Sequence, residues 1–297
     1  MSYLQQFVAL AEAKNQSIAV SLKNTLEEGG ERISVLGENI LERYQGIVDG
    51  DIEVLVQAYA TMVMRFNKLQ LKYEISGSYP KQGFDQVKEA VYDNMPDMTS
   101  YMLGLVCSQF AWSNHFRLWC FFEDKFLNRL SSVQNILEFA PGHGHFGLST
   151  LQKYPNAQLI GIDISPASVK MSTRIATSFD HTNANYRQQD AMALEENYFG
   201  KFDAVICGEL LEHVPEPDRI LASVHKALTP GGVAYVTAAI TAAAPDHIYE
   251  FTTVSEVTNM VTASGLEIID QISESTRPLT DQAKGAPTTI AMIVTKG

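Results

Sequence analysis

Residues 135–147, N-I-L-E-F-A-P-G-H-G-H-F-G, constrain the fold more than any other stretch of this chain. A short apolar run reads as a buried strand ending at Ala140. Gly142, Gly144 and Gly147 follow it, and a helical pattern then begins. Glycines suit such a turn because it needs positive φ and because a ligand must approach bare backbone there. Asp163 ends the next strand pattern, nineteen residues after Gly144, where a carboxylate can accept both hydroxyls of a ribose. The minimum reading is a nucleoside-containing cofactor. The three glycines also spell G-x-G-x-x-G, so a nicotinamide enzyme is an alternative. A turn that only packs a helix on a strand is another, and Asp163 counts against it.

The pattern around this turn sets the fold class. After Ser131, strands fit residues 135–140, 158–163, 184–188, 202–207 and 232–237, and helices fit 147–153, 165–178, 217–227 and 254–264. Such alternation implies right-handed crossovers and a parallel sheet. Two further strand patterns, 266–273 and 288–295, have no helical pattern between them and imply an antiparallel hairpin. Before residue 130 the periodicity is helical, over 2–27, 31–47, 51–74, 84–93 and 97–130. Asp51 stands where an N-cap belongs, ahead of an apolar face of Ile52, Leu55, Tyr59, Met62 and Phe66. The expected organisation is an α-helical cap over residues 1–130 and a Rossmann-like α/β domain over 131–297.

Charge removes one class of partner. Asp and Glu number 34 against 22 Lys and Arg, and both parts are acidic, so a polyanion such as nucleic acid would be repelled. Cys107, Cys120 and Cys207 are odd in number and lack C-x-x-C spacing, which speaks against a disulfide framework and fits a reducing compartment. The opening M-S-Y-L-Q-Q-F-V-A-L lacks the basic start of a secretion signal, and 233–244 is too short to span a bilayer. A cytoplasmic protein with no membrane partner is expected.

Further landmarks separate the cofactors. Glu138 precedes the glycines, in E-F-A-P-G-H-G, and at this point the chain resembles the class I S-adenosylmethionine-dependent methyltransferases. Ala140 replaces the first glycine of their acidic-x-Gly-x-Gly-x-Gly motif. The resemblance implies a mostly parallel seven-stranded sheet with an antiparallel last strand. It also implies that the Ala140–Gly144 backbone, including Gly142, holds the methionine part of S-adenosylmethionine beside Glu138. Asp163 and Ile164, in I-G-I-D-I-S, would take the ribose, and Asp190-Ala191, in Q-Q-D-A-M, the adenine. The run F-D-A-V-I-C-G-E-L-L-E-H-V, 202–214, matches the motif that lines the methyl-transfer site, and A-L-T-P-G-G matches the turn before the fifth strand.

Methyl transfer from a sulfonium asks for alignment, desolvation and, for an alcohol, a general base. Candidates are Glu209, which could also face the cofactor, His213, and His247 beyond the fifth strand; each could instead be a cap or packing residue. His247 and Tyr249, in P-D-H-I-Y-E-F, are expected to touch substrate. No metal is expected: His143 and His145 form H-x-H without an evident third ligand, and would line the cofactor or face solvent. Trp112, Phe116, Trp119, Phe122 and Phe126 recur at helical spacing, as a helix packed on the sheet would require. By the same resemblance Tyr73, Tyr79, Trp112, Asn114 and His115 shape the acceptor pocket, with Tyr92 and Tyr101 weaker candidates and Asn114 also a catalytic one. The segments Y-E-I-S-G-S-Y and S-Q-F-A-W-S-N-H further resemble natural-product enzymes, among them azetidine-2-carboxylate synthases, which cyclise the cofactor itself. Three functions therefore stand open: methyl transfer to a small molecule, cyclisation of S-adenosylmethionine, and a non-catalytic binding module. A homodimer through the N-terminal helices is a further expectation.

Overall fold

The computed structural model describes residues 1–79, 83–276 and 286–296. Six helices come first: α1 (Tyr3–Lys14), α2 (Gln16–Gln45), α3 (Ile52–Ser76), α4 (Phe84–Val87), α5 (Met95–Ala111) and α6 (Ser113–Phe121). Two expected helices, 2–27 and 97–130, are interrupted, and the expected 84–93 is α-helical only over Phe84–Val87. Asn15 ends α1 and caps α2, its side chain accepting from the Ser17 and Ile18 N–H groups. Trp112 adopts extended geometry between α5 and α6, so the expected helix 97–130 breaks there. Asp51 does cap α3, accepting from the Glu53 N–H.

The sheet follows: β1 (Asn135–Phe139), α7 (His145–Lys153), β2 (Gln158–Asp163), α8 (Pro166–Ser178), β3 (Ala184–Gln188), β4 (Phe202–Cys207), α9 (Pro217–Ala227), β5 (Leu228–Ile240), α10 (Val254–Ala263), β6 (Leu266–Ser275) and β7 (Thr288–Lys296). Its seven strands lie in the order β3-β2-β1-β4-β5-β7-β6. Strands β1 to β5 pair in parallel, and β7 runs antiparallel to both β5 and β6. The connection between the last two strands, expected to be free of helix, lies at 277–285, outside the described residues. Strand order reverses between β1 and β4, which opens a crevice at their carboxyl ends.

Alternation along β1 divides the two faces. Leu137 and Phe139 pack toward α9 and α10, whereas Ile136 joins the core built by α1 to α6. That second core is continuous from Leu4 through Phe110 and Phe122 to Tyr235 and Ile293, so the N-terminal helices and the sheet share it. No helix among the described residues is long and apolar enough to cross a membrane.

Candidate active site

The glycine turn sits at the β1 end of the crevice. Ala140 takes φ 47°, so the residue standing where the motif has glycine still adopts the left-handed conformation. Gly142 and Gly144 have positive φ as well, and Gly144 caps α7. Gly147 is needed for space: a Cβ there would lie 2.2 Å from Glu138 Oε2. The Gly147 N–H donates to Glu138 Oε1 at 3.1 Å, while Oε2 is buried without a hydrogen-bond partner. Helix α2 holds the turn from above. The Tyr44 hydroxyl donates to the His143 carbonyl at 2.5 Å, and buried Arg43 lies 3.2 Å from His145 Nδ1.

Asp163 faces the same turn from β2. Its carboxylate accepts from the Gly142 N–H at 3.2 Å and the Ser165 N–H at 2.8 Å, which leaves lone pairs on both oxygens. Burial raises it to about 6 against the pull of those donors, and burial raises Glu138 to about 8. Asp190 caps a short turn by accepting from the Met192 N–H and lines the crevice beside Ala191.

At the β4 end, Glu209 also takes a left-handed φ of 47°. Strain of this kind gathers at functional sites. Thr237 fixes it, with its hydroxyl donating to Glu209 Oε1 at 2.5 Å and accepting from the Glu209 N–H at 2.7 Å. A one-turn helix, Leu211–His213, then places Glu212 and His213 against the loop after β5. The Ile248 and Tyr249 N–H groups both donate to the Glu212 carbonyl, tying turn and loop together. His213 Nδ1 lies 3.3 Å from the Asp246 carboxylate and 3.2 Å from the Tyr92 hydroxyl. Burial alone would lower His213, but Asp246 outweighs it and brings the imidazolium to about 9; Asp246, despite its own burial, is held at about 2. Tyr101 donates its hydroxyl to Asp246 at 3.1 Å. His247, lowered to about 3 by burial and by His213, donates from Nδ1 to the Ala242 carbonyl at 2.7 Å. Burial and neighbouring Glu212 raise Glu209 to about 8.

One cavity of about 1070 Å³ joins these two ends and continues between α2, α3, α5 and α6. That is at the upper limit of single-ligand sites, roughly 300–1,000 Å³.

The sequence matches the methyltransferase domain family over residues 130–282, just over half of the chain. The chain belongs to that family. A ubiquinone biosynthesis O-methyltransferase of Leptothrix cholodnii is 30% identical over 102 residues, 34% of this chain and 43% of that protein. One from Xanthomonas oryzae is 37% identical over 81 residues, 27% of this chain and 34% of its own length. The chain thus spans less than half of these curated relatives. Among solved structures, a phosphoethanolamine N-methyltransferase of Haemonchus contortus, crystallised with phosphomonomethylethanolamine and S-adenosylhomocysteine, has the same fold. It superposes with a TM-score of 0.54 at 13% identity, over 73% of this chain and 61% of that one.

The cofactor of this methyltransferase domain is S-adenosylmethionine, and the turn fits it. The unpartnered Glu138 oxygen, the side-chain-poor turn at Ala140 and Gly142, and the open lone pairs of Asp163 supply acceptors and space along one wall. Glu138, Ala140, Gly142, Asp163, Ile164, Asp190, Ala191 and Glu209 all line the cavity; Gly144 does not, its role being to start α7. Trp112, Asn114 and His115 line it too, because the break at Trp112 turns the start of α6 inward, and His213 and His247 line it from the turns after β4 and β5.

Three substrate candidates lie elsewhere. Tyr73 donates to Glu250, and Tyr79 to the Ala242 carbonyl, so both brace the loop carrying Asp246 and His247 from behind. Tyr249 packs on Phe251, on the α9–α10 side of the sheet. Of the H-x-H pair, His143 lines the cavity, but His145 is buried and stacks on Trp119 at 4.4 Å rather than facing solvent. Asp246 lines the cavity although no motif marks it, and Glu212, inside the 202–214 run but not singled out there, is buried next to His213 and His247; Tyr92 and Tyr101 stand closer to the site than their weak sequence signal suggests. The signals that could have found the two acids are their positions, Glu212 three residues after Glu209 and Asp246 directly before His247.

Proposed function

We propose that this protein transfers a methyl group from S-adenosylmethionine to a small-molecule acceptor. The observation that carries the reading is the continuous cavity, with the glycine turn at one end and a helix-walled compartment at the other. Glu138, the Ala140–Gly142 backbone, Asp163, Ile164, Asp190 and Ala191 would hold the cofactor, which when bound supplies an activated methyl group. The chain's own work is then alignment and exclusion of water. Trp112, Asn114 and His115 close the helical side, while Glu209, His213 and His247 would face the reacting atom of the acceptor. The two curated relatives act, by their names, on oxygen, which favours an oxygen acceptor; its proton would pass to His247, the one of the three that carries no ionisable proton near pH 7. A cytoplasmic location belongs to the same reading, supported by three cysteines that are all unpaired.

The test is product identification. Purified protein should yield S-adenosylhomocysteine from S-adenosylmethionine only when a small hydroxylated acceptor is added. Methylthioadenosine formed without an acceptor would replace methyl transfer by cyclisation. Cofactor binding without turnover across an acceptor panel would favour the non-catalytic reading.

A further inference from the structure

We infer that Gln109, Asn114 and His115 form a recognition subsite in the helix-walled compartment, one that takes an uncharged acceptor through a hydroxyl other than the one that is methylated. All three residues line the cavity, on either side of the break at Trp112. Gln109 is 8% exposed and Asn114 5%, and among the described residues neither carboxamide has a hydrogen-bond partner. A carboxamide buried in this way is costly unless a ligand or water completes it.

His115 is prepared by its neighbours. The Ser108 hydroxyl has one proton and gives it to the Leu105 carbonyl at 2.6 Å, so the imidazole is the donor in the 2.8 Å contact between His115 Nδ1 and Ser108 Oγ. That fixes the tautomer: Nδ1 carries the proton and Nε2 is a bare acceptor. Burial lowers His115 to about 4, so the ring is neutral near pH 7. Trp112 packs edge-on against it, with ring centroids 4.8 Å apart.

Complementarity then selects the ligand. The two carboxamides offer both N–H donors and carbonyl acceptors, and Nε2 offers an acceptor alone. A hydroxyl donates and accepts, so it pairs with both kinds. A carboxylate would leave Nε2 without a donor and would meet the field of Glu28, which accepts from the Ser113 hydroxyl at 2.8 Å at the start of α6. Arg117 does not offset this, being paired already with Glu28 and, at 2.6 Å, with Glu274. An ammonium would leave the carboxamide N–H groups unmatched. Phe66 and Trp112, with ring centroids 6.0 Å apart, add apolar wall for the body of an aromatic acceptor. That the occupant is the methyl acceptor rests on the proposed methyl transfer; that the subsite binds a hydroxyl does not.

The experiment reads His115 directly. Full-length protein labelled with ¹⁵N-histidine should show one imidazole, missing in His115→Gln, held as the Nδ1–H tautomer near pH 7. Titration with resorcinol should shift its Nε2 saturably, and benzoate or benzylamine at equal concentration should not. Gln109→Leu and Asn114→Leu should each weaken resorcinol binding roughly fivefold, about the worth of one hydrogen bond. Both should melt no lower than wild type, since each removes a buried amide that has no partner. An Nε2–H tautomer, a ring that does not answer resorcinol or answers the charged probes as well, or resorcinol binding unchanged in both variants would overturn the subsite. A lower melting temperature in both variants would also overturn it, by making the amides part of the fold. Calorimetry with S-adenosylhomocysteine should give the same affinity in wild type and variants; a loss would assign these side chains to the cofactor instead of the acceptor. A responsive His115 in a protein that transfers no methyl group would sink the methyl-transfer reading alone.

Discussion

At the scale of the residue, two buried acids carry opposite jobs. Asp163 keeps lone pairs open toward the cavity, so Asp163→Ala should weaken S-adenosylhomocysteine binding by about 1–3 kcal/mol in calorimetry, the value of hydrogen bonds to a charged group. Unchanged affinity would remove Asp163 from the cofactor site. Glu138 is costly to ionise in the folded protein, where burial lifts it to about 8. Between the ordinary carboxylate range and that value, the native state holds a proton that the unfolded chain has released. The stability this group contributes is thus full at acid pH and falls as pH rises toward 8. Thermal melts of cofactor-free protein at pH 5 and pH 8 should show a smaller loss in Glu138→Gln than in wild type. The difference should reach a few kcal/mol, because each tenfold change in proton affinity is worth ~1.4 kcal/mol. An identical pH dependence would mean that Glu138 ionises freely. Glu138, Asp163 and Asp190 were legible because each lies at a fixed interval from the glycines or at the end of a strand. The Asp246–His213 pair and its tyrosines were not, because sequence spacing does not encode contacts such as Tyr101 to Asp246, 145 residues apart.

At the scale of the element, helices meet strands through positions with no side chain. A Cβ on Gly147 would strike the Glu138 carboxylate at 2.2 Å and Leu159 at 2.9 Å. Gly147→Ala should therefore destabilise the protein by about 1–3 kcal/mol in denaturant unfolding and displace Glu138. Loss within error of zero would show that α7 can shift without cost. Gly104 lets α5 approach α3 in the same way, a Cβ there falling 3.0 Å from the Ala58 carbonyl. Strand and helix order was legible because period-two and period-3.6 patterns are local. The breaks at Asn15 and Trp112 were not. Asn15 caps with a side chain that periodicity ignores, and Trp112 is extended in the middle of an apolar helical pattern.

At the scale of the whole molecule, the helices of 1–130 and one face of the sheet bury the same residues. Ile136, Leu148, Ala204, Tyr235 and Ile293 belong to the core that contains Phe7, Tyr59 and Phe110. Calorimetric unfolding should accordingly give one cooperative transition rather than two. A chain beginning at residue 131 should expose that face and fail to reach a native-like melt; two separated transitions in the full chain would contradict this. The shared core also makes the cavity a property of both parts, with the glycine turn on the sheet and the second compartment among the helices. The most direct measurement is a crystal structure of the protein with S-adenosylhomocysteine. We expect the ribose hydroxyls on Asp163, the adenine beside Asp190 and Ala191, and the sulfur directed toward Glu209 and the helix-walled compartment. Nucleoside bound elsewhere, or with its sulfur turned away from that compartment, would contradict the assignment.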